Sequence, residues 1–356
     1  MFKAEELFQN ITDKNHPDET VLTIIQGKGT LPREQAGRNI HYDDASLSNY
    51  KKVEQGDFII HLRSFEGGLE MANEAGIVSP AYTILRCKRP HSSLFYDAYF
   101  HTDEFINHNL SKSVEGIRDG RQISYEAFKW LGIPYCEPTE QEKISNLFAA
   151  LNERIAKQRD LIEALKKYKR GAVTHILSGK SMAFAVTSSW TEHTLSELCS
   201  EFRSGRNISA TLIHQNGNYP VYGGNGIRGY CNQYSHDGEY VVVGRQGALC
   251  GNVRLIQGKN YLSEHAIAVQ ANGANETKFL LYLLDYMKLG QYSDQGAQPG
   301  LAVNKLLRLK CMVPDKQTQI KIASFLMSFD FQISTQERML MLLNSQRRAL
   351  LQQLFI

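Results

Sequence analysis

Two stretches of this chain carry the same apolar stripe at helical spacing, one in each half of the sequence. Residues 123–178 lie on 301–356 without a gap. The identities are Leu131/Leu309, Gln141/Gln319, Lys143/Lys321, Ile144/Ile322, Ile155/Ile333, Gln158/Gln336, Leu165/Leu343 and Arg170/Arg348. Their phase is more telling than their number. With Ile144 as a heptad a position, the a positions are Ile144, Leu151, Gln158, Leu165 and Ala172, against Ile322, Phe329, Gln336, Leu343 and Leu350. The e positions add Phe148, Ile155, Ile162 and Ile176, against Leu326, Ile333, Leu340 and Leu354. Such spacing predicts two amphipathic helices. Each would run about 40 residues, or roughly 60 Å, where the usual helix has about 11–12 residues. Helices this long need partners, and each is the natural partner of the other in an antiparallel coiled coil. The expected interface is Ile144, Leu151, Gln158, Leu165, Ile322, Phe329, Gln336, Leu343 and Leu350. A Gln on an apolar seam costs stability and fixes register, so Gln158 is expected to face Gln336.

Start signals agree with this reading. Thr139 can cap the first helix, with Glu142 completing a capping box. Asp315 can cap the second. Ser178-Gly179 offers a stop for the first. Upstream of each helix is a longer segment rich in Gly, Tyr, Asn and β-branched residues, which predicts short strands and turns. Gly56–Ile60 resembles Gly238–Val242, Arg63 falls on Arg245, and Gly76–Ser79 falls near Asn260–Ser263. These pairs are slightly further apart than the helical pairs, as loop-length differences between duplicated units require. A helical piece is expected at 277–289. The fold class is therefore α+β: two globular domains and two long helices in an internal pseudo-two-fold repeat. The boundaries are 1–137, first domain; 138–178, central helix; 179–189, linker; 190–313, second domain; 314–356, C-terminal helix.

Several functions are disfavoured. No apolar run approaches the roughly 20 residues of a membrane span. The first residues, MFKAEELFQNITDKNH, contain no apolar signal core. The six cysteines form no CxxC pair, and no His pair has zinc spacing, so metal binding is not expected and free thiols fit a cytoplasmic protein. Gly179-Lys180-Ser181 follows a helix and has Thr174 where a P-loop needs glycine. Tyr222–Gly229 is glycine-rich without the dinucleotide-binding spacing. There is no HExxH, no GxSxG and no nuclease-like acidic cluster. No local motif asks for catalysis.

Two similar heads on a helical spacer suit a ligand with two separated features, and double-stranded DNA with two half-sites is the leading candidate. Net charge is only +3, but the two helical stretches carry +5, leaving −2 elsewhere. DNA contact would then come from placed side chains rather than a broad basic face. The first-domain candidates are Lys28, Arg33, Arg38, Arg63, Arg118 and Arg121. The second-domain candidates are Tyr222, Asn225, Arg228, Arg245, Gln246, Gln295 and Gln298. Arg can pair bidentately with guanine, and Gln or Asn with adenine. Taken singly, each of these residues is more often an ordinary surface group. The alternative is a non-DNA structural adaptor using the coiled coil as a docking rod.

The chain resembles the specificity subunits of type I restriction-modification enzymes over nearly its whole length. The resemblance rests on Tyr50–Val53 followed by Gly56–Phe58, on Gly76–Tyr82, on Tyr219–Ile227, on Gly244–Ala248 and on Gln298–Leu301. It also rests on the helix entries Ile133-Pro134 to Ile144 and Val313-Pro314 to Ile322. Singly these are weak; together they are specific. The resemblance implies two target recognition domains, each reading half of a split DNA site. It implies helices that dock two methyltransferase subunits, with restriction/translocase subunits added. S-adenosylmethionine, ATP and Mg would sit on those partners, and this chain would be a non-catalytic, cytoplasmic DNA-binding subunit. One departure is that the first domain has no counterpart of Trp190, which suggests that its opening segment is missing or shorter.

Overall fold

The computed structural model describes residues 1–36, 44–116, 121–178, 189–294 and 300–355. Among them four helices have eight residues or more: α1 (Ser93–Phe100), α2 (Pro138–Leu177), α3 (Thr277–Tyr286) and α4 (Lys316–Leu354). The long helices α2 and α4 begin at Pro138 and Lys316, a pair that the sequence repeat superposes. α2 thus starts one position before the expected Thr139 cap. Proline at the first helical position needs no N–H partner and already has helical φ, so Thr139 lies inside the helix. Asp315 does cap α4: its carboxylate accepts from the Thr318 N–H at 3.0 Å and the Thr318 hydroxyl at 2.9 Å. The stop glycine, Gly179, lies outside the described residues, as does most of the 179–189 linker.

The chain divides into two compact units, residues 1–159 with 339–356, and residues 160–338. The division passes through both long helices, so each unit contains part of each. In the first unit Leu151 and Ile155 pack with Leu340, Leu343 and Leu350. There Arg347 Nε donates to Asn152 Oδ1 at 2.8 Å. In the second unit Lys166 Nζ lies 3.0 Å from Glu337, and the Tyr168 and Phe329 rings are 5.5 Å apart. In both units the partner number falls as the α2 number rises, so the helices run antiparallel. Leu151, Ile322, Phe329 and Leu343 are buried, while Ile144, Gln158, Leu165, Gln336 and Leu350 are half-buried. The stripe does double duty. Ile144 packs on the first-domain core together with Leu350, and Ile322 lies in the second-domain core with Val173, Ile176 and Leu177 of α2.

The two domains share one sheet order. In the first, Phe8–Ile11, Thr83–Cys87, Phe58–Ile60 and Glu70–Met71 lie side by side, all antiparallel. In the second, Cys199–Ser204, Ala266–Ala271, His236–Gly244 and Val253–Leu262 do the same. The landmark strands Phe58–Ile60 and Tyr240–Val242 occupy the same place. So do Ile77 and Tyr261: Ile77 makes a parallel bridge to Val21, and Tyr261 pairs in parallel with Val221. The second contact joins the hairpin Tyr219–Gly223/Gly226–Cys231 to the sheet, and the first joins the hairpin Leu22–Ile25/Gly29–Pro32 to the strand Gly76–Val78, which pairs apart from the sheet with Lys51–Val53. Phe2–Lys3 pairs with Gly132–Ile133 as Thr191–Thr194 pairs with Lys310–Val313. Each opening strand leads into a one-turn helix whose third residue, Glu6 or Glu197, accepts from the N–H of the residue before the helix, Lys3 or Thr194. The strand and one-turn helix that follow Trp190 in the second domain thus have counterparts in the first.

The cores differ in substance. The first is aromatic, with Phe8, Phe58, Tyr96, Tyr99, Phe100 and Phe105 all at most 1 % exposed. Their edge-to-face contacts, such as Phe8–Tyr96 at 5.0 Å and 73°, are the favoured geometry for ring pairs. The second is largely aliphatic, built on Val241, Val243, Ile267, Val269, Leu280 and Leu283.

The repeated glutamines, Gln141 and Gln319, are 0 % and 1 % exposed and make matching bonds. Gln141 Nε2 donates to the Cys136 carbonyl at 2.8 Å, and its Oε1 accepts from Ser92 N–H at 2.9 Å. Gln319 Nε2 donates to the Pro314 carbonyl at 2.9 Å, and its Oε1 accepts from Glu276 N–H at 3.0 Å. Ser92 and Glu276 are the N-cap residues of α1 and α3. Each glutamine therefore latches a domain helix to the first turn of a long helix, satisfying groups that would otherwise be buried without partners.

Candidate nucleic-acid interface

In the first domain three segments meet. One is the hairpin turn Gln26–Lys28, the second is the one-turn helix Ser64–Gly67 entered from Arg63, and the third is Arg121. Gly67 permits the contact with the turn: a Cβ there would lie 2.0 Å from Gln26 Nε2. The Arg121 guanidinium lies 4.2 Å from the Phe65 ring centre, a cation–π distance. Lys28 is exposed, and Arg63 is 72 % exposed, 3.6 Å from Glu66. The segments that carry these three cations come together. Arg33 stands apart, half-buried with its guanidinium 5.9 Å from the Tyr50 ring.

The turn is held from beneath by Glu70, which is fully buried. Its carboxylate accepts from Gly27 N–H at 2.6 Å and Gly29 N–H at 2.9 Å, and His101 Nε2 lies 3.4 Å away. Gly27 and Gly29 have φ of 73° and 77°, the left-handed conformation that aims both amides at the carboxylate. Burial alone would raise the Glu70 carboxyl; the bonds from His101 and the two glycine amides outweigh it and hold it low. Burial would likewise depress His101, but Glu70 and Asp97 together hold its pKa above the ordinary value.

The second domain repeats the arrangement with other residues. Its hairpin turn carries Gly224 and Asn225, and it meets the Arg245–Gln246 segment. A Cβ on Gly224 would lie 2.3 Å from the Gln246 carbonyl, and one on Gly244 would lie 2.4 Å from the Gly224 carbonyl. The third segment is Gly300-Leu301, bridged to Gln246 and bonded through Leu301 N–H to the Arg245 carbonyl at 2.9 Å. The glycines of the two motifs are thus explained by backbones passing in contact. Arg245 is half-buried, and its guanidinium donates to the Leu301 and Glu264 carbonyls at 3.4 and 3.3 Å. Gln246 Oε1 is bonded to His265 Nδ1 at 2.6 Å. Both side chains are occupied in holding loops. Tyr222 is half-buried, while Asn225 and Arg228 are exposed, with Arg228 lying across Gly223. Arg38, Arg118, Gln295 and Gln298 lie outside the described residues.

Sequence reasoning missed Glu70, whose role depends on the turn it meets in space, and Arg254. Arg254 is exposed on the strand Val253–Leu262 beside the Asn225 turn. Its signal was alternation, since it sits between Val253 and Leu255. Among the described residues no group of three His, Cys, Asp or Glu could hold a metal ion, and no helix is long and apolar enough to cross a membrane.

The fold and this duplicated face define a class: paired α+β domains on antiparallel long helices, each presenting a hairpin turn beside a loop. Residues 187–342 match the type I restriction modification DNA specificity domain. The type I restriction enzyme EcoprrI specificity subunit of Escherichia coli is 46% identical over 141 residues, 38% of this chain and 35% of that protein. A putative type I specificity subunit of Mycoplasma pneumoniae is 28% identical over 141 residues, 38% of this chain and 46% of that protein. These alignments therefore span less than half of the relatives' own lengths. The fold match is far wider. The crystal structure of an S subunit from M. genitalium covers 100% of this chain and 95% of its own, with TM-score 0.65 at 17% identity. The HsdS subunit of Thermoanaerobacter tengcongensis covers 99% and 95%, with TM-score 0.53 at 18% identity. Residues 187–342 thus match the family's DNA specificity domain, and the whole chain shares the fold of these S subunits.

Proposed function

We infer that this chain is the DNA sequence-specificity subunit of a type I restriction-modification complex. Each domain reads one half of a bipartite site, and the paired helices set the spacing and dock two methyltransferase subunits. Restriction/translocase subunits complete the assembly. S-adenosylmethionine, ATP and Mg act on those partners, and this cytoplasmic chain performs no catalysis itself. The observation that carries the reading is the repeated face: in each domain a hairpin turn, a post-strand segment and a loop converge, with a polar or cationic residue at the turn, Lys28 or Asn225. Duplicated readers on antiparallel helices match a ligand with two separated half-sites.

The test is genome-wide mapping of methylated adenines in cells with and without this chain, its methyltransferase partner present in both. A split motif that appears only with the chain is expected. Methylation that is unchanged, or a purified complex with no preference among DNA sequences at physiological salt, would remove the reading.

A further inference from the structure

Arg254 is seated on the second domain's hairpin turn. It lies opposite Val242 in the strand ladder, and its guanidinium rests on the turn glycine Gly226. A Cβ on Gly226 would lie 3.2, 3.3 and 3.4 Å from Nη1, Nη2 and Cζ, so the flat guanidinium lies against the bare α-carbon. Among the described residues no carboxylate pairs with it. Arg254 lines a cleft of about 210 Å³ with Tyr222, Gly224, Asn225 and, from α3, Asp285. Asp285 is exposed and forms no ion pair with Arg254 or with any other described residue. The cleft thus offers a forked donor and a separate acceptor that do not neutralise each other. A phosphate suits the arginine but is repelled by the aspartate. The major-groove edge of a guanine–cytosine pair suits both: guanine N7 and O6 accept from arginine, and cytosine N4 donates to a carboxylate.

Building on the DNA-specificity reading above, we propose that Arg254 and Asp285 read a guanine–cytosine pair in the half-site of the second domain. Arg254 supplies the bidentate contact to guanine, and Asp285 accepts from the cytosine amino group. Gly226 is the seat that fixes the fork.

The experiment uses the full chain with its methyltransferase subunit. The methylation motif is mapped for the wild type, Arg254→Ala, Arg254→Lys and Asp285→Asn. Loss of the requirement for guanine at one position is expected in Arg254→Ala and in Arg254→Lys, with the other half-site unchanged. Asp285→Asn should relax the same position. In parallel, the half-site guanines are replaced one at a time by 7-deazaguanine, which lacks the N7 acceptor. One replacement should weaken wild-type binding about tenfold, the scale of one bidentate contact, and leave Arg254→Ala binding unchanged. This binding measurement decides the matter even where a variant methylates too little to map. An unaltered motif in Arg254→Ala overturns the proposal, as does full discrimination by Arg254→Lys, which would mark a point-charge contact. A wild-type complex without any sequence preference would instead refute the DNA-specificity reading itself.

Discussion

Arg63 and Arg245 stand at equivalent points of the two domains, just after matching central strands, yet they do different work. Arg63 is 72 % exposed and lies 3.6 Å from Glu66. Arg245 is half-buried and donates to two loop carbonyls. The strands explain the contrast. Phe58–Ile60 has three residues and His236–Gly244 has nine, so the second domain carries its segment further into the loops it must fasten. The lesson is that the repeat preserves backbone placement and leaves side-chain duty free to change. The aromatic and aliphatic cores repeat the lesson on the same four-strand order.

The largest effect should come from the shared helices. Leu343→Asp puts a charge where a 3 % exposed leucine meets Leu151 and Ile155, at a cost on the order of 3–5 kcal/mol. Leu165→Asp, at a half-buried site, should cost clearly less. Urea denaturation ranks the two, and equal losses would mean that the seam is uniform after all. Next are the glutamine latches. Gln141→Ala and Gln319→Ala each leave a part-buried N–H and a carbonyl without their glutamine partner, worth roughly 1–3 kcal/mol together. Gln319 also donates to Asn275 Oδ1 at 2.8 Å, so its loss should be the greater, and a reversed order would break the equivalence of the two latches.

A third comparison sets His101 against His236, both with an ordinary value of 6.5. The native value of His101 is raised, so its contribution is complete below 6.5 and is lost as pH rises through that native value. The native value of His236 is depressed, chiefly by burial against a partial offset from Glu201, so its contribution is present above 6.5 and is lost as pH falls. Relative to wild type, His101→Gln should therefore be less stable at about pH 6 than at pH 8, and His236→Gln the reverse. Each difference should be about 1–3 °C in Tm by calorimetry, and shifts of the same sign would refute the contrast. The smallest stability effect is expected for Arg63→Ala, under about 0.5 kcal/mol, against about 1–2 kcal/mol for Arg245→Ala. On the DNA-specificity reading the order reverses for DNA binding, with Arg63→Ala weakening it directly.

The parts legible in the sequence were those that repeat without gaps. α2, α4 and the pair Gln141/Gln319 share one offset because a long helix tolerates no insertion in its stripe. The hairpins were not legible as a pair, since insertions have moved Val21 and Val221 well out of the register that the helices keep. Arg245 showed its chemistry in the sequence, but not that it would meet the Leu301 and Glu264 carbonyls. Glu70 gave no signal at all: its partners Gly27, Gly29 and His101 reach it only through the fold.

The first-domain core is closed by Leu351 and Phe355, whose ring lies 5.0 Å from Phe95 and 5.5 Å from Tyr99. Residues 160–338, by contrast, form one unbroken stretch. On the ribosome, then, order of synthesis and order of completion are inverted. The second unit has all its residues once position 338 has emerged. The first unit waits with an open aromatic core, complete as far as Phe148, until the last turns of α4 are made. That wait lasts on the order of tens of seconds at about 5–20 residues per second. Through that interval the nascent first domain is the part of the chain most in need of chaperone cover.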